Sequence, residues 1–312
     1  MMQPYVLLLH GREGSGALPA SLVRALLDAL DDGARGAVRL RLEGRSRAGG
    51  GVAPSWIHRA SSFEVVALLA DRAGIELRAP SFGESIPERF AQGDLFRAVD
   101  PNESALSVLA ASLGDALGGE ADSEAFDEPL LAVFEEFRGV FRQGVASVEL
   151  RNGRRDAKPL LVTPEGVRTV SRLKRQTPRP RRVRLAGKLD EIRHSDRAFT
   201  LVLESGTVIR GVLVEGSPDD LAQHFGRITI VSGLAHFRPS GTLLRVDADH
   251  LAHGTAEDAS LWSTVPAPLD LQPEIGRSWQ PQERPNGLAS IIGAWPGDED
   301  DEEFFRMVEE MS

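Results

Sequence analysis

Between Val183 and His253 the chain repeatedly alternates apolar with polar residues, and this pattern constrains the fold more than any other stretch. Val183, Leu185, Gly187 and Leu189 interleave with Arg184, Ala186, Lys188 and Asp190, a period of two that gives a strand one wet face. After a polar break over 193–197, Phe199, Leu201 and Leu203 resume the alternation, and Gly206 turns the chain into a third strand over 208–214. Ser217 as N-cap, Asp219 and Asp220 in the first turn and Gly226 just beyond predict a short helix over 217–225. Strands over 228–234 and 243–248 follow, joined across Arg238-Pro239-Ser240-Gly241, where proline and glycine supply the dihedrals of a tight turn.

Three strands, a short helix and two more strands resemble, over 181–253, the element order of an OB-type barrel. Such a barrel closes its edges and binds ligands on the face of its second and third strands. Gly187, in mid-strand, suits the sharp coiling of a first barrel strand. A five-stranded sheet with one helix packed on it is the competing arrangement.

Upstream, the pattern mixes both periods. Strands are expected over 5–10, 37–42, 63–69, 74–77, 145–150 and 160–162, and helices over 19–30, 104–117, 127–141 and 164–175. Leu130, Phe134, Phe137 and Phe141 form one helical stripe. The expected class is α+β: a mixed α/β domain over 1–175, a basic linker over 176–182, a five-stranded OB-like β-barrel over 183–253, a Pro-rich tether over 254–286 and a flexible acidic tail over 287–312. Trp262 and Trp279 in the tether are candidate docking anchors.

The chemistry of common enzymes is thin. With no cysteine, the chain has neither disulfides nor thiolate ligands. In the Gly11–Gly16 loop, Ala17 and Leu18 stand where a phosphate cradle needs Lys and Ser or Thr, so a connecting turn is expected there. Ser15 and Ser240 lack the elbow glycines of a hydrolase nucleophile. His250 and His253 lie three apart without completing a metal spacing, and Asp190, Glu191 and Asp196 read as solvated turn carboxylates. No enzyme activity, cofactor or metal is expected. The first ten residues lack the basic flank of a signal peptide, and no apolar run is long enough to span a membrane, so a cytoplasmic protein is expected.

Charge is strongly segregated. Residues 151–184 hold twelve basic side chains against Asp156 and Glu165, in a chain of net charge −10. Arg172, Arg175, Arg179, Arg181, Arg182 and Arg184 are therefore the candidates for tracking a nucleic-acid backbone. The barrel segment itself is near neutral and offers only Phe199, Phe225 and Phe237 as aromatics, few for stacking bases.

At the other extreme, Asp298-Glu299-Asp300-Asp301-Glu302-Glu303 leads into a two-turn amphipathic pattern at Phe304, Val308 and Met311, too short to persist alone. Gly293-Ala294-Trp295-Pro296-Gly297-Asp298-Glu299, followed by Asp301-Glu302-Glu303 and the apolar helix, resembles the C-terminal toxin-binding tail of bacterial antitoxins that neutralise PIN-domain ribonucleases. The resemblance covers about twenty residues, and the body before it is much larger than the small DNA-binding domain usual in that family. It implies that Trp295, Phe304 and Phe305 anchor in a partner's grooves while Asp298 and Glu299 make polar contacts, and the helical spacing adds Val308 to the apolar side of Phe304 as a partner-binding candidate. The expected function is a non-enzymatic protein whose residues 287–312 bind a small protein partner, plausibly as an antitoxin-like inhibitor of a ribonuclease toxin. The alternative is a nucleic-acid-binding protein using residues 172–184.

Overall fold

Tyr5, Leu7 and Leu9 are buried while Pro4 is exposed, so the first strand turns one side to a core. In the computed structural model, which describes residues 2–11, 17–47, 54–69, 72–90, 99–153, 158–193 and 196–268, this strand is β1 (Gln3–His10). It is the centre of a five-stranded antiparallel sheet ordered β2-β3-β1-β4-β5, with β2 (Glu64–Leu69), β3 (Gly74–Ala79), β4 (Ser147–Asn152) and β5 (Leu160–Val162). Leu7 faces Ile75 on one side and Leu150 on the other. The core over this row is filled from α1 (Ala20–Glu43), α4 (Ala105–Gly118), α5 (Glu128–Phe134) and α7 (Pro164–Gln176), through residues such as Leu26, Leu109, Phe134 and Val170. The shorter α2 (Ser55–Ser61), α3 (Phe82–Ser85) and α6 (Arg138–Phe141) complete this half.

Two expectations for this half are corrected. Residues 37–42 are not a strand: they are the last turns of α1, which runs on to Glu43 and closes when the Gly44 N–H donates to the Leu40 carbonyl. Ala37, Val38, Leu40 and Leu42 are all buried, so a helix enclosed on several sides mimicked alternation. Gly36 lies within this part of the helix, where a Cβ would sit 2.8 Å from Leu130 Cδ1. The helix expected over 127–141 is broken by a 3-10 turn at Glu135–Phe137 between α5 and α6. This tightening keeps Leu130, Phe134 and Phe137 all against the core, while Glu135 reaches Lys174 Nζ of α7 at 2.8 Å.

The alternating stretch forms a closed barrel. Its strands are β6 (Arg181–Arg193), β7 (Ala198–Leu203), β8 (Val208–Leu213), β9 (Ile228–Phe237) and β10 (Leu243–His253). They follow the ring β10-β8-β7-β6-β9, closed by the β9–β10 pair. Every pair is antiparallel except β8 with β10, which is parallel, and α8 (Pro218–His224) lies between the third and fourth strands. This is a mixed five-stranded barrel with an OB-like order of elements. Its core packs Leu185, Leu189, Phe199, Leu201, Leu221, Val231, Phe237 and Val246.

β6 begins at Arg181, so only Thr177–Pro180 separate it from α7. Within the stretch read as a tether, Ala256–Leu261 form a helix, α9, held by a reciprocal cap in which Thr255 and Asp258 satisfy each other's backbone N–H. A capping residue three positions before a carboxylate was the overlooked signal. The Arg12–Gly16 loop, residues 49–51, His194, Trp279 and all of the tail residues Trp295, Asp298, Glu299, Phe304, Phe305 and Val308 lie outside the described residues. Among the described residues no helix is long and apolar enough to cross a membrane.

Gly187 sits where two strands close on the first barrel strand: a Cβ there would meet the Val202 carbonyl oxygen at 2.4 Å and its carbon at 2.9 Å. Backbone atoms cannot yield as a side-chain tip can. Gly187→Ala should therefore lower unfolding free energy by about 1–3 kcal/mol, and urea denaturation of the two proteins checks this.

Candidate binding site

The basic stretch does not form one continuous free surface. Arg172 and Arg175 are exposed on α7, whose Val167, Val170 and Leu173 face the core. Arg172 lies beside the left-handed C-cap of α4, where a Cβ on Gly119 would be 3.6 Å from its Nη2. Arg179 follows on the exposed connection to the barrel. The first three of the four arginines of β6 have partners within the fold: Arg181 Nη1 donates to the Ala267 carbonyl at 2.7 Å, Arg182 Nη2 meets Asp249 Oδ2 at 2.7 Å, and the Arg184 guanidinium lies 5.6 Å from the centroid of the Trp262 ring. Trp262 is held in turn because its carbonyl accepts the Ala186 N–H at 3.0 Å.

A second cluster, not anticipated as a site, joins the sheet half to the barrel. Arg245 of β10 is buried and divides its guanidinium between Asp127 Oδ2 at 3.1 Å and Asp247 Oδ1 at 2.8 Å. Asp127 also caps α5 by accepting the Leu130 N–H, and it receives the N–H and hydroxyl of Ser46. Burial works to raise the Asp247 pKa, but hydrogen bonding to His236 and the charge of Arg245 outweigh it and hold the carboxyl down at about 2. In the same loop Glu124 bridges Arg210 and Arg238, and Asp122 accepts from the Thr242 hydroxyl at 3.1 Å. Asp127 was read from the sequence only as a helix start. Its partner lies 118 residues away, a pairing that no local spacing announces.

Above this seam the wall of β7 and β8 faces the C-terminal turn of α1 across a cleft of about 380 Å³. The helix end abuts β8, for a Cβ on Gly44 would lie 3.2 Å from Val212 Cγ2. Arg41, Arg193, Arg210 and Arg245 line the cleft with Glu124 and Glu191, over apolar surface from Ala198, Phe199 and Val212. Several of these charges are paired: Arg193 with Asp196 at 3.3 Å, Arg210 with Glu124, and Glu191 with the Thr200 hydroxyl at 3.1 Å. Asp196 also meets Arg89 at 3.5 Å, and Asp190 lies 3.5 Å from Lys188. Asp190, Glu191 and Asp196 thus share none of these partners and do not converge. Among the described residues no group of three His, Asp or Glu is placed to hold a metal ion.

At the barrel end closed by α8, His224 packs its ring on that of His253, with centroids 4.4 Å apart, and its Nδ1 lies 3.4 Å from the Thr229 hydroxyl. Burial lowers the His224 pKa, and the neighbouring His253, Arg227 and His250 lower it further against the opposing pull of Asp220.

With this geometry in view, comparison of the chain with protein-family models, with curated proteins and with solved structures finds no match in any of the three.

Two outcomes follow from the buried charges. Replacing Arg245 by Met leaves Asp127 and Asp247 without their shared counter-ion and should cost about 3–5 kcal/mol of stability, read as a fall in the urea midpoint. His224 binds its proton less readily folded than unfolded, so its contribution is complete above the ordinary value of 6.5 and is lost as pH falls below it. Stability should therefore drop as pH falls below about 6.5, and His224→Gln should flatten that profile. An unchanged profile in the variant would assign the drop to other groups.

Proposed function

We infer that this chain is a non-enzymatic binding protein whose acidic segment 287–312 grips a small protein partner. An antitoxin-like inhibitor of a ribonuclease toxin is the form that the tail's resemblance favours. The observation that carries the reading is that Arg181, Arg182 and Arg184 already have partners. They contact the Ala267 carbonyl, Asp249 and Trp262, so part of the chain's basic block is engaged without the acidic segment. That favours a foreign surface as the target of Asp298, Glu299 and the aromatic residues Trp295, Phe304 and Phe305, with Val308 on the same apolar side. The divergent carboxylates Asp190, Glu191 and Asp196 likewise favour binding over catalysis.

A second reading, nucleic-acid binding, is favoured by the exposure of Arg172, Arg175 and Arg179. It would now rest on a footprint without the full help of Arg181, Arg182 and Arg184, and a weaker salt dependence follows.

One experiment separates the readings. The full chain and its Trp295→Ala, Phe304→Ala, Phe305→Ala variant are each co-expressed with the product of an adjacent small gene and co-purified. Loss of two or more aromatic anchors should weaken capture by roughly 30-fold or more. Equal recovery by both proteins excludes the tail as the grip, and salt-sensitive retention on single-stranded DNA that is lost on replacing Arg172, Arg175 and Arg179 by Ala would favour the second reading instead.

A further inference from the structure

We propose that the cleft between the last turn of α1 and the β7–β8 wall is a binding site for a small organic phosphate. The wall made by the second and third strands is where barrels of this order take ligands. Here it does not run open along its length, because the end of α1 and the Glu124 loop stand across it. The space left, about 380 Å³, falls within the range of small-molecule sites, roughly 300–1,000 Å³. It suits a single small molecule better than a run of nucleotides.

The charges specify the class of ligand. Arg41 from α1, Arg193 from β6 and Arg210 from β8 approach the cleft from three different elements, with Arg245 at its base. Guanidinium groups match the oxygens of a phosphate in geometry and charge, and several can share one tetrahedral dianion. Glu124 and Glu191 oppose them among the lining residues, and Glu191 already accepts from Thr200. Arg193 is paired with Asp196 and Arg245 with Asp127 and Asp247, so the phosphate is assigned to Arg41 and to Arg210, which Glu124 can release. Phe199 and Val212 supply apolar surface for the remainder of the ligand, which favours an ester over the bare ion.

Glu124 occupies the position of an internal competitor. It bridges Arg210 at the cleft and Arg238 on the adjoining wall, so a phosphate that takes Arg210 displaces the carboxylate but leaves it Arg238. Ligand entry is thereby coupled to the loop that joins the two halves of the fold. None of the residues that carry this site belongs to the tail, so this assignment and the partner-binding reading stand or fall separately.

The test is calorimetric titration of the full chain with adenosine 5′-monophosphate, inorganic phosphate and citrate as probes. The nucleotide should bind with a Kd below about 1 mM, and bare phosphate at least about tenfold more weakly. Arg210→Gln should weaken nucleotide binding by about tenfold or more, whereas Glu124→Gln should tighten it by releasing Arg210, a gain that general damage to the fold would not produce. Absence of binding by both phosphate probes, citrate binding as tightly as the nucleotide, or identical nucleotide affinity in Arg210→Gln would each overturn the assignment.

Discussion

The buried guanidinium of Arg245 is the interaction on which the arrangement of the two halves depends. Taking one cation and two carboxylates out of water costs several kcal/mol for each ion, and only close pairing on every side repays it. Here Asp127 and Asp247 flank Arg245 while Ser46, the α5 backbone and His236 occupy the remaining carboxylate positions. Such a node adds little to stability compared with a hydrophobic equivalent, but it tolerates no shift in register. If β10 slid by one residue, Arg245 would turn to the other side of the strand and leave two carboxylates dry and unpaired.

The barrel was legible because its signals are local. Alternation in β6, β7 and β9, the Ser217 cap and the Pro239–Gly241 turn each act within a few residues, and together they imply the element order. What escaped was set by tertiary surroundings. The end of α1 is enclosed on several sides, so its buried residues no longer trace one stripe, and Leu130 packs close to the bare Cα of Gly36. The cleft was invisible for the same reason: Arg41 and Arg210 lie 169 positions apart in sequence and meet at one space only through the fold.

Charge segregation in the sequence takes no account of the partners that side chains find in the fold. Counting side chains treats every arginine alike, yet Arg182 pairs with Asp249 while Arg181 and Arg184 lie against a carbonyl and an indole face. At the cleft, Arg193, Arg210 and Arg245 come to one space from three strands, and each of them also has a carboxylate partner.

The distance along the chain between Asp127 and Arg245 bears on the order in which the protein can be completed during synthesis. When the sheet half leaves the ribosome, the strand that carries its counter-ion has not yet been translated, so Asp127 must stay hydrated beside Ser46 until the final barrel strand arrives. The first half can therefore collapse early but cannot seal its seam. Closure of the barrel and dehydration of that carboxylate become a single late event, and the nascent chain keeps a wet, open edge until then.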